Sequence, residues 1–271
     1  MAEYLNNAKS FITEQSSSLV DSAKSGNPLA LAFWIIVAII VLFYSYHYIM
    51  KAIRNLNYFR RGSPYLIKDT KDAKKRVVIG QNPKLDGHIN LPRSNNETGG
   101  IEFSYTTWLF IEDYTYKLGE WKHVFHKGNE NSWPLRAPGV WLHPNKNALR
   151  VYMNSYTEIS EYLDIDNIPM NKWFSLTLVL KSQNMDIYIN GNLKKALKLS
   201  GIPKQNYGDF YVNSFGGFSG YISKLRYFDW ALNYSEIDAI QKTGPSLRIE
   251  QSSIRENERP PYLTPNWWTN E

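Results

Sequence analysis

Hydrolysis of a glycosidic bond needs two carboxylates facing one another, one as acid/base and one as nucleophile, so acidic strings are the first place to look for catalysis. The chain offers Glu161-Tyr162-Leu163-Asp164-Ile165-Asp166 and Glu236-Ile237-Asp238. In the first, Glu161 and Asp164 are three apart, the wrong spacing to share one strand face, and the string runs on into Asn167 and Pro169. The second opens a helix. Both read as surface carboxylates, and no enzyme is expected. His123 and His126 are three apart on a predicted strand. Alternation sends them to opposite faces, which excludes a shared metal. His88 and His143 have no ligand-spaced partner. The absence of cysteine removes disulfides, thiolate metal sites and a thiol nucleophile together. Gly99-Gly100 and Gly216-Gly217 read as turns, and neither a phosphate-cradling loop nor a G-x-S-x-G elbow is present.

Binding chemistry has better candidates. Aromatics make up 15% of the chain. Trp133, in Asn131-Ser132-Trp133-Pro134, is the best loop aromatic for stacking on a ligand, with Tyr156 behind it. Trp141 reads as core. Calcium would need six to eight oxygens. Asp209 with Asn206 and Asn213 is the one candidate loop cluster, and a single carboxylate falls short, so no cofactor is assigned and calcium at Asp209 is the one to check. Asn96-Glu97-Thr98 and Asn233-Tyr234-Ser235 match glycosylation acceptors.

These residues must be positioned by strands. Ile101, Phe103, Tyr105, Thr107, Leu109 and Ile111 alternate with polar neighbours until Trp108 and Phe110 make the second half apolar on both faces. Trp121–His126, Val140–His143, Leu149–Met153, Trp173–Leu180, Asp186–Ile189, Phe210–Phe215 and Tyr221–Phe228 follow at short intervals. Asn190-Gly191 predicts a two-residue hairpin, since a type I′ turn needs positive φ at both positions. Ser235 to Asp238 predicts a capped helix that Gly244-Pro245 ends.

Ahead of this β region, Leu29 to Tyr44 carries no polar side chain, and residues 28–50 are long enough to cross about 30 Å of hydrocarbon. Leu29, Trp34, Ile36, Ile40, Tyr44 and Ile49 are the expected anchor residues. Lys51, Arg54, Arg60 and Arg61 are the basic flank that stays on the cytoplasmic side, beside anionic headgroups. The net charge of +6 is mild, and its juxtamembrane placement points to lipid, not nucleic acid. Tyr4, Leu5, Ala8, Phe11, Ile12, Leu19, Val20 and Ala23 recur at helical spacing before the span.

The strings FSYTTWLFI at 103–111, VWLHPNKNALRVYMN at 140–154, MNKWFSLTLVLKSQNMDIYINGNL at 170–193 and FSGYISKLRYFDWALNYSEIDAI at 218–240 come in a telling order. Trp108, Trp173, Tyr188-Ile189-Asn190-Gly191, Gly220-Tyr221-Ile222, Arg226-Tyr227-Phe228 and Ala231-Leu232 through Glu236-Ile237 carry the pattern. Over residues 85–245 the chain resembles the laminin-G-like jelly roll of the concanavalin A-like lectin/glucanase superfamily. The resemblance implies a sandwich that engages sugars, proteins or lipids at its loop rim, some relatives being glycan hydrolases. An N-terminal anchor followed by one cysteine-free jelly roll also resembles virion membrane proteins of large DNA viruses, which implies capsid or other virion partners.

The expected fold is therefore mainly β: an antiparallel jelly-roll sandwich preceded by an amphipathic helix and a single transmembrane helix. The expected divisions are 1–27 amphipathic helix, 28–50 span, 51–84 basic connector, 85–245 jelly roll and 246–271 a Pro- and Trp-containing tail whose Trp267 and Trp268 dock on the domain or a partner. The expected function is a single-pass, non-catalytic binding or structural protein whose partners are the bilayer and a protein or glycan. Its jelly roll faces the cytoplasm or the equivalent side of a virion's internal membrane. A carbohydrate-binding surface receptor and a glycoside hydrolase are the alternatives.

Overall fold

In the computed structural model, which describes residues 28–60, 63–85, 87–97 and 100–249, the period-two run after Gly100 becomes the longest strand. The elements in chain order are α1 (Pro28–Arg60), β1 (Tyr65–Ile67), β2 (Lys71–Asp72), β3 (Val77–Ile79), β4 (Asn95–Glu97), β5 (Gly100–Asp113), β6 (Lys122–Gly128) and β7 (Arg136–Leu142). They continue as β8 (Ala148–Met153), β9 (Glu161–Asp166), β10 (Trp173–Lys181), β11 (Asn184–Ile189), β12 (Asn192–Lys198), β13 (Asp209–Val212), β14 (Ser219–Phe228) and α2 (Tyr234–Lys242). The chain divides into two compact units between Arg60 and Arg61.

The second unit is a sandwich of two antiparallel sheets. One has the order β1-β14-β5-β10-β11-β12, with β2 on β14 and β4 on β5, and the other β3-β13-β6-β7-β8-β9. Alternate residues of both sheets turn inward. Phe103, Tyr105, Leu109 and Ile111 from β5 and Phe174, Leu176, Leu178 and Leu180 from β10 meet Phe125, Val140, Val151, Ile165 and Phe210 from the other sheet. Each such side chain removed from water contributes on the order of 1.5–3 kcal/mol. Asn190 and Gly191 take φ of 51° and 74° and join β11 to β12, as the type I′ turn requires. β12 forms the border of its sheet and exposes Lys194 and Lys198.

Three features differ from expectation. Residues 65–79, read as connector, supply β1, β2 and β3, and their Leu66, Ile67, Ala73 and Ile79 belong to the core. These strands are only two or three residues long in a lysine-rich context, too short for periodicity to register. α2 starts earlier than Ser235. Asn233 is its N-cap: its side chain accepts the Glu236 N–H at 3.0 Å, and the Glu236 carboxylate accepts the Asn233 N–H at 2.9 Å. A glutamate three residues after the cap makes the box reciprocal, which aspartate after Ser235 cannot match as well. Asn233→Ala is expected to lower stability by about 1 kcal/mol, read as a shifted urea midpoint at unchanged slope. An unshifted midpoint would show the cap to be idle.

The third concerns α1, which runs ten residues past the expected end at 50. No helix among the described residues is long and apolar enough to cross a membrane. The uninterrupted apolar part of α1, Leu29 to Tyr44, is sixteen residues, short of the about 20 a span needs. Ile36, Ile40, Tyr44 and Ile49 are exposed and Trp34 is half-exposed. The side chains of Leu29, Lys51, Arg54 and Arg60, with Arg61, the helix expected over 1–27 and the tail from 250, lie outside the described residues.

Candidate functional site

The outer face of the six-stranded sheet carries an unusual amount of chemistry because β6 does not alternate cleanly. His123 pairs with Trp141, but Phe125 pairs with Val140, so Val124 is an inserted residue. Val124 and Phe125 both enter the core, and the strand's parity flips. His123 and His126 therefore land on the same face, against the expectation from simple alternation. Each is fully buried, and His123 Nε2 lies 2.6 Å from His126 Nδ1.

The proton positions follow from the neighbours. The Ser214 N–H donates to His123 Nδ1 at 2.9 Å, so that nitrogen is bare and the proton sits on Nε2. Nε2 donates to His126 Nδ1, which leaves His126 Nε2 to donate to the Asn129 carbonyl at 2.8 Å. Both rings are neutral links in one relay. Burial holds His123 well below the usual histidine range, helped by the facing His126 and by Arg76. Burial lowers His126 as well, its bond to Asn129 working the other way. Trp141 packs edge-on to His123 at 4.4 Å, and Phe215 stacks on Trp141 at 5.7 Å. Each histidine nitrogen is thus already engaged, and among the described residues no group of three His, Cys, Asp or Glu gathers that could hold a metal ion.

The same face continues across β8 and β9. Register aligns His126, Gly139, Tyr152 and Tyr162 in one row and His123, Trp141, Arg150 and Asp164 in the next. Arg150 donates to both oxygens of Asp164 at 2.6 and 2.7 Å and lies over the rings of Trp121 and Tyr162. That bond raises the arginine further and holds the aspartate carboxyl below its ordinary range. Arg136 stacks 3.7 Å from the Tyr152 ring centre and 5.7 Å from that of Trp133, with Nη2 donating to Ser160 Oγ at 2.9 Å.

Asn154 ties the loops at this end together. Its buried amide accepts the Arg136 N–H at 2.7 Å and donates to the Pro134 carbonyl at 3.0 Å and to the Ile159 carbonyl. Its own carbonyl accepts the Lys204 N–H at 2.9 Å, and the Tyr156 N–H bonds Ile202 at 2.9 Å. One hub thereby holds the loops that present Trp133, 57% exposed, Tyr156, 72% exposed, and Tyr207, 83% exposed. Beside them a cavity of about 290 Å³ opens between the sheets, lined among others by Tyr105, Tyr227, Lys127, Lys204 and Arg93. No carboxylate among the described residues lines it. Burial pulls Lys127 down to about 8, against the pull of Asp209, and its Nζ donates to the Gly208 carbonyl at 2.7 Å.

Of the three residues expected to bind ligand, Trp133 and Tyr156 share this rim. Asp209 pairs with Gly128 at the head of β13, and its carboxylate accepts the Gln81 N–H at 2.9 Å. The three residues of the expected calcium cluster are each engaged with separate backbone partners. Asn206 bonds the Lys127 and Ala137 carbonyls, whereas Asn213 reaches the Asp72 and Lys75 carbonyls from the other end of β13. The acidic string is likewise engaged, Glu161 by Ser155 and Ser200 and Asp164 by Arg150. Arg136, Arg150 and the histidine relay were not singled out as site residues from the sequence. The one signal that could have found the arginines is aromatic and basic residues two apart in Arg150-Val151-Tyr152, opposite Tyr162-Leu163-Asp164.

Over 116 residues the chain is 31% identical to botulinum neurotoxin type G of Clostridium botulinum, a match covering 38% of this chain and 9% of the toxin. Among solved structures, the receptor binding domain of botulinum neurotoxin type G is similar at a TM-score of 0.42 and 22% identity, over 55% of this chain and 41% of that one. The binding domain of serotype D is similar at 0.44 and 16%, over 53% and 37%. The chain thus spans less than a tenth of the toxin and less than half of either domain. A laminin-G-type family model matches residues 82–238, more than half of the chain. The chain belongs to the concanavalin A-like lectin/glucanases superfamily.

Proposed function

We propose that this chain is a membrane-tethered, non-catalytic binding module whose loop rim engages a protein or glycan partner. The observation that carries the reading is the rim itself: Trp133, Tyr156 and Tyr207, on different loops, are all more than half exposed and are braced by the buried Asn154. Large aromatics held rigidly in water gain most from being covered, and they are the side chains that dominate interfaces. The carboxylates that a hydrolase would need are instead tied to serines and to Arg150. Trp133→Ala combined with Tyr156→Ala is expected to weaken binding of any partner at least tenfold, with thermal stability little changed because both rings are exposed. The test is full-length chain in nanodiscs, screened on a glycan array and a displayed peptide library. Binding in neither format, or binding indifferent to the double substitution, refutes the rim as the site.

The tether is residues 28–50, and its support is the unbroken apolar run from Leu29 to Tyr44 with the basic residues that follow it. A helix that is apolar all round needs a core or a bilayer to cover it. On this reading the sandwich lies on the cytoplasmic side, or on the matching face of an internal virion membrane. The chain is expected to stay with membranes through alkaline carbonate and to float with vesicles. Recovery in the soluble fraction would refute the tether. Protease protection then separates this placement from a surface receptor, whose head would be cut from outside and glycosylated at Asn96 or Asn233.

A further inference from the structure

Two arginines on the outer face of the six-stranded sheet are built alike and finished differently. Arg150 lies over aromatic rings and closes a two-pronged bond with Asp164. Arg136 stacks on Tyr152 beside Trp133 in the same manner, yet its side chain bonds only the Ser160 hydroxyl, and its buried Nε has no acceptor among the described residues. No carboxylate among the described residues pairs with it. Burial lowers its pKa, Tyr152 acts the other way, and the cation Arg150 lowers it further. Arg136 is half-buried with its Nε out of reach of water, and a planar fork so placed gains most from a carboxylate or phosphate that replaces the hydration it has lost.

We propose that Arg136 is the carboxylate-binding centre of the rim, and that the carboxylate comes from an acidic side chain on a protein partner. This rests on the rim being a binding surface. The chemistry around Arg136 favours a protein. Trp133 flanks it, while the hydrogen bonds of Asn154 and Tyr156 hold the exposed Ile159 and Ile202 in the adjoining loops. Sugars are held by aromatic platforms and polar groups, and exposed isoleucines add nothing to that. Against a protein they supply the apolar cover that dries out a central arginine, which is how aromatic and arginine residues come to dominate such interfaces.

The test pans the full-length chain in nanodiscs against a random 12-residue peptide library. Selected peptides are expected to carry Asp or Glu next to an aliphatic or aromatic residue. With one such synthetic peptide, Arg136→Gln in the protein and Glu→Gln in the peptide are each expected to weaken binding about 10- to 100-fold. The two changes together should be no worse than either alone, the signature of one shared contact. Arg136→Lys, which keeps the charge but loses the fork, is expected to recover only part of the affinity. Peptides without acidic enrichment, or affinity indifferent to Arg136→Gln while Trp133→Ala abolishes it, overturn the carboxylate assignment and leave the rim standing. Binding of glucuronic acid oligosaccharides with no peptide selected overturns the protein partner. Affinity indifferent to both Trp133→Ala and Arg136→Gln removes the rim reading as well.

Discussion

Asn154→Ala is expected to lower the unfolding free energy by about 3 kcal/mol and to abolish rim binding. The side chain is fully buried and serves one backbone donor and two carbonyls in two separate segments. Alanine leaves the Arg136 N–H and the Pro134 and Ile159 carbonyls facing a small hole that reproduces none of these bonds. Each stranded group costs about 1–3 kcal/mol unless water reaches it. Asn154→Asp tests the geometry further: it keeps the acceptor for Arg136 but turns an anion toward two carbonyl oxygens. It is expected to fare no better than alanine. Urea unfolding of both variants checks this, and a loss within about 0.5 kcal/mol of wild type, the range of an ordinary surface change, would show that the loops stand without their hub.

The second large effect is acid lability. Folded His123 and His126 are held below the ordinary histidine value near 6.5, chiefly by burial, with Arg76 acting against protonation of both and Arg136 on His126. Between the folded and unfolded values the unfolded chain binds more protons, so stability is full above about pH 6.5 and is lost as pH falls. Structure adds a reason beyond charge. The only bare nitrogens are the two already accepting hydrogen bonds, so a new proton would face the Ser214 N–H or the neighbouring imidazole. Two linked protons allow a slope of up to about 2.7 kcal/mol per pH unit. Thermal unfolding between pH 7 and 5 should show the decline, and it should flatten in a His123→Leu, His126→Leu double variant. A wild-type melting temperature that holds steady over that interval sinks the relay.

The same histidines mark the limit of what the residues alone disclose. β5, β10 and β14 could be read directly, since long alternating runs leave one phase in which the apolar side chains share a face. Asn190-Gly191 was as plain, because few residues tolerate positive φ twice in succession. Val124 breaks that logic: nothing in Lys122-His123-Val124-Phe125-His126 announces an inserted residue, and only the pairing with Trp141 and Val140 across the sheet selects it. β9 and β12 are polar strands at the sheet borders, where one neighbour is missing and burial imposes little pattern. Trp133 and Tyr156 were legible as loop aromatics, but Asn154 was not legible as their brace. Its role depends on Pro134, Arg136 and Ile159 converging on one amide, a fact of three dimensions.

β12 has one further bearing on how the molecule lives among its own copies. A border strand with open amides is an invitation to zip onto an identical strand, and tethering heads to a common sheet would multiply the encounters. Lys194 and Lys198 put like charge along that border, so two heads approaching edge to edge repel before their backbones can register. The deterrent reaches about 8 Å at physiological ionic strength and only about 3 Å in molar salt. Concentrated brine should therefore turn a dispersed population sticky, with no change in the fold of any single head.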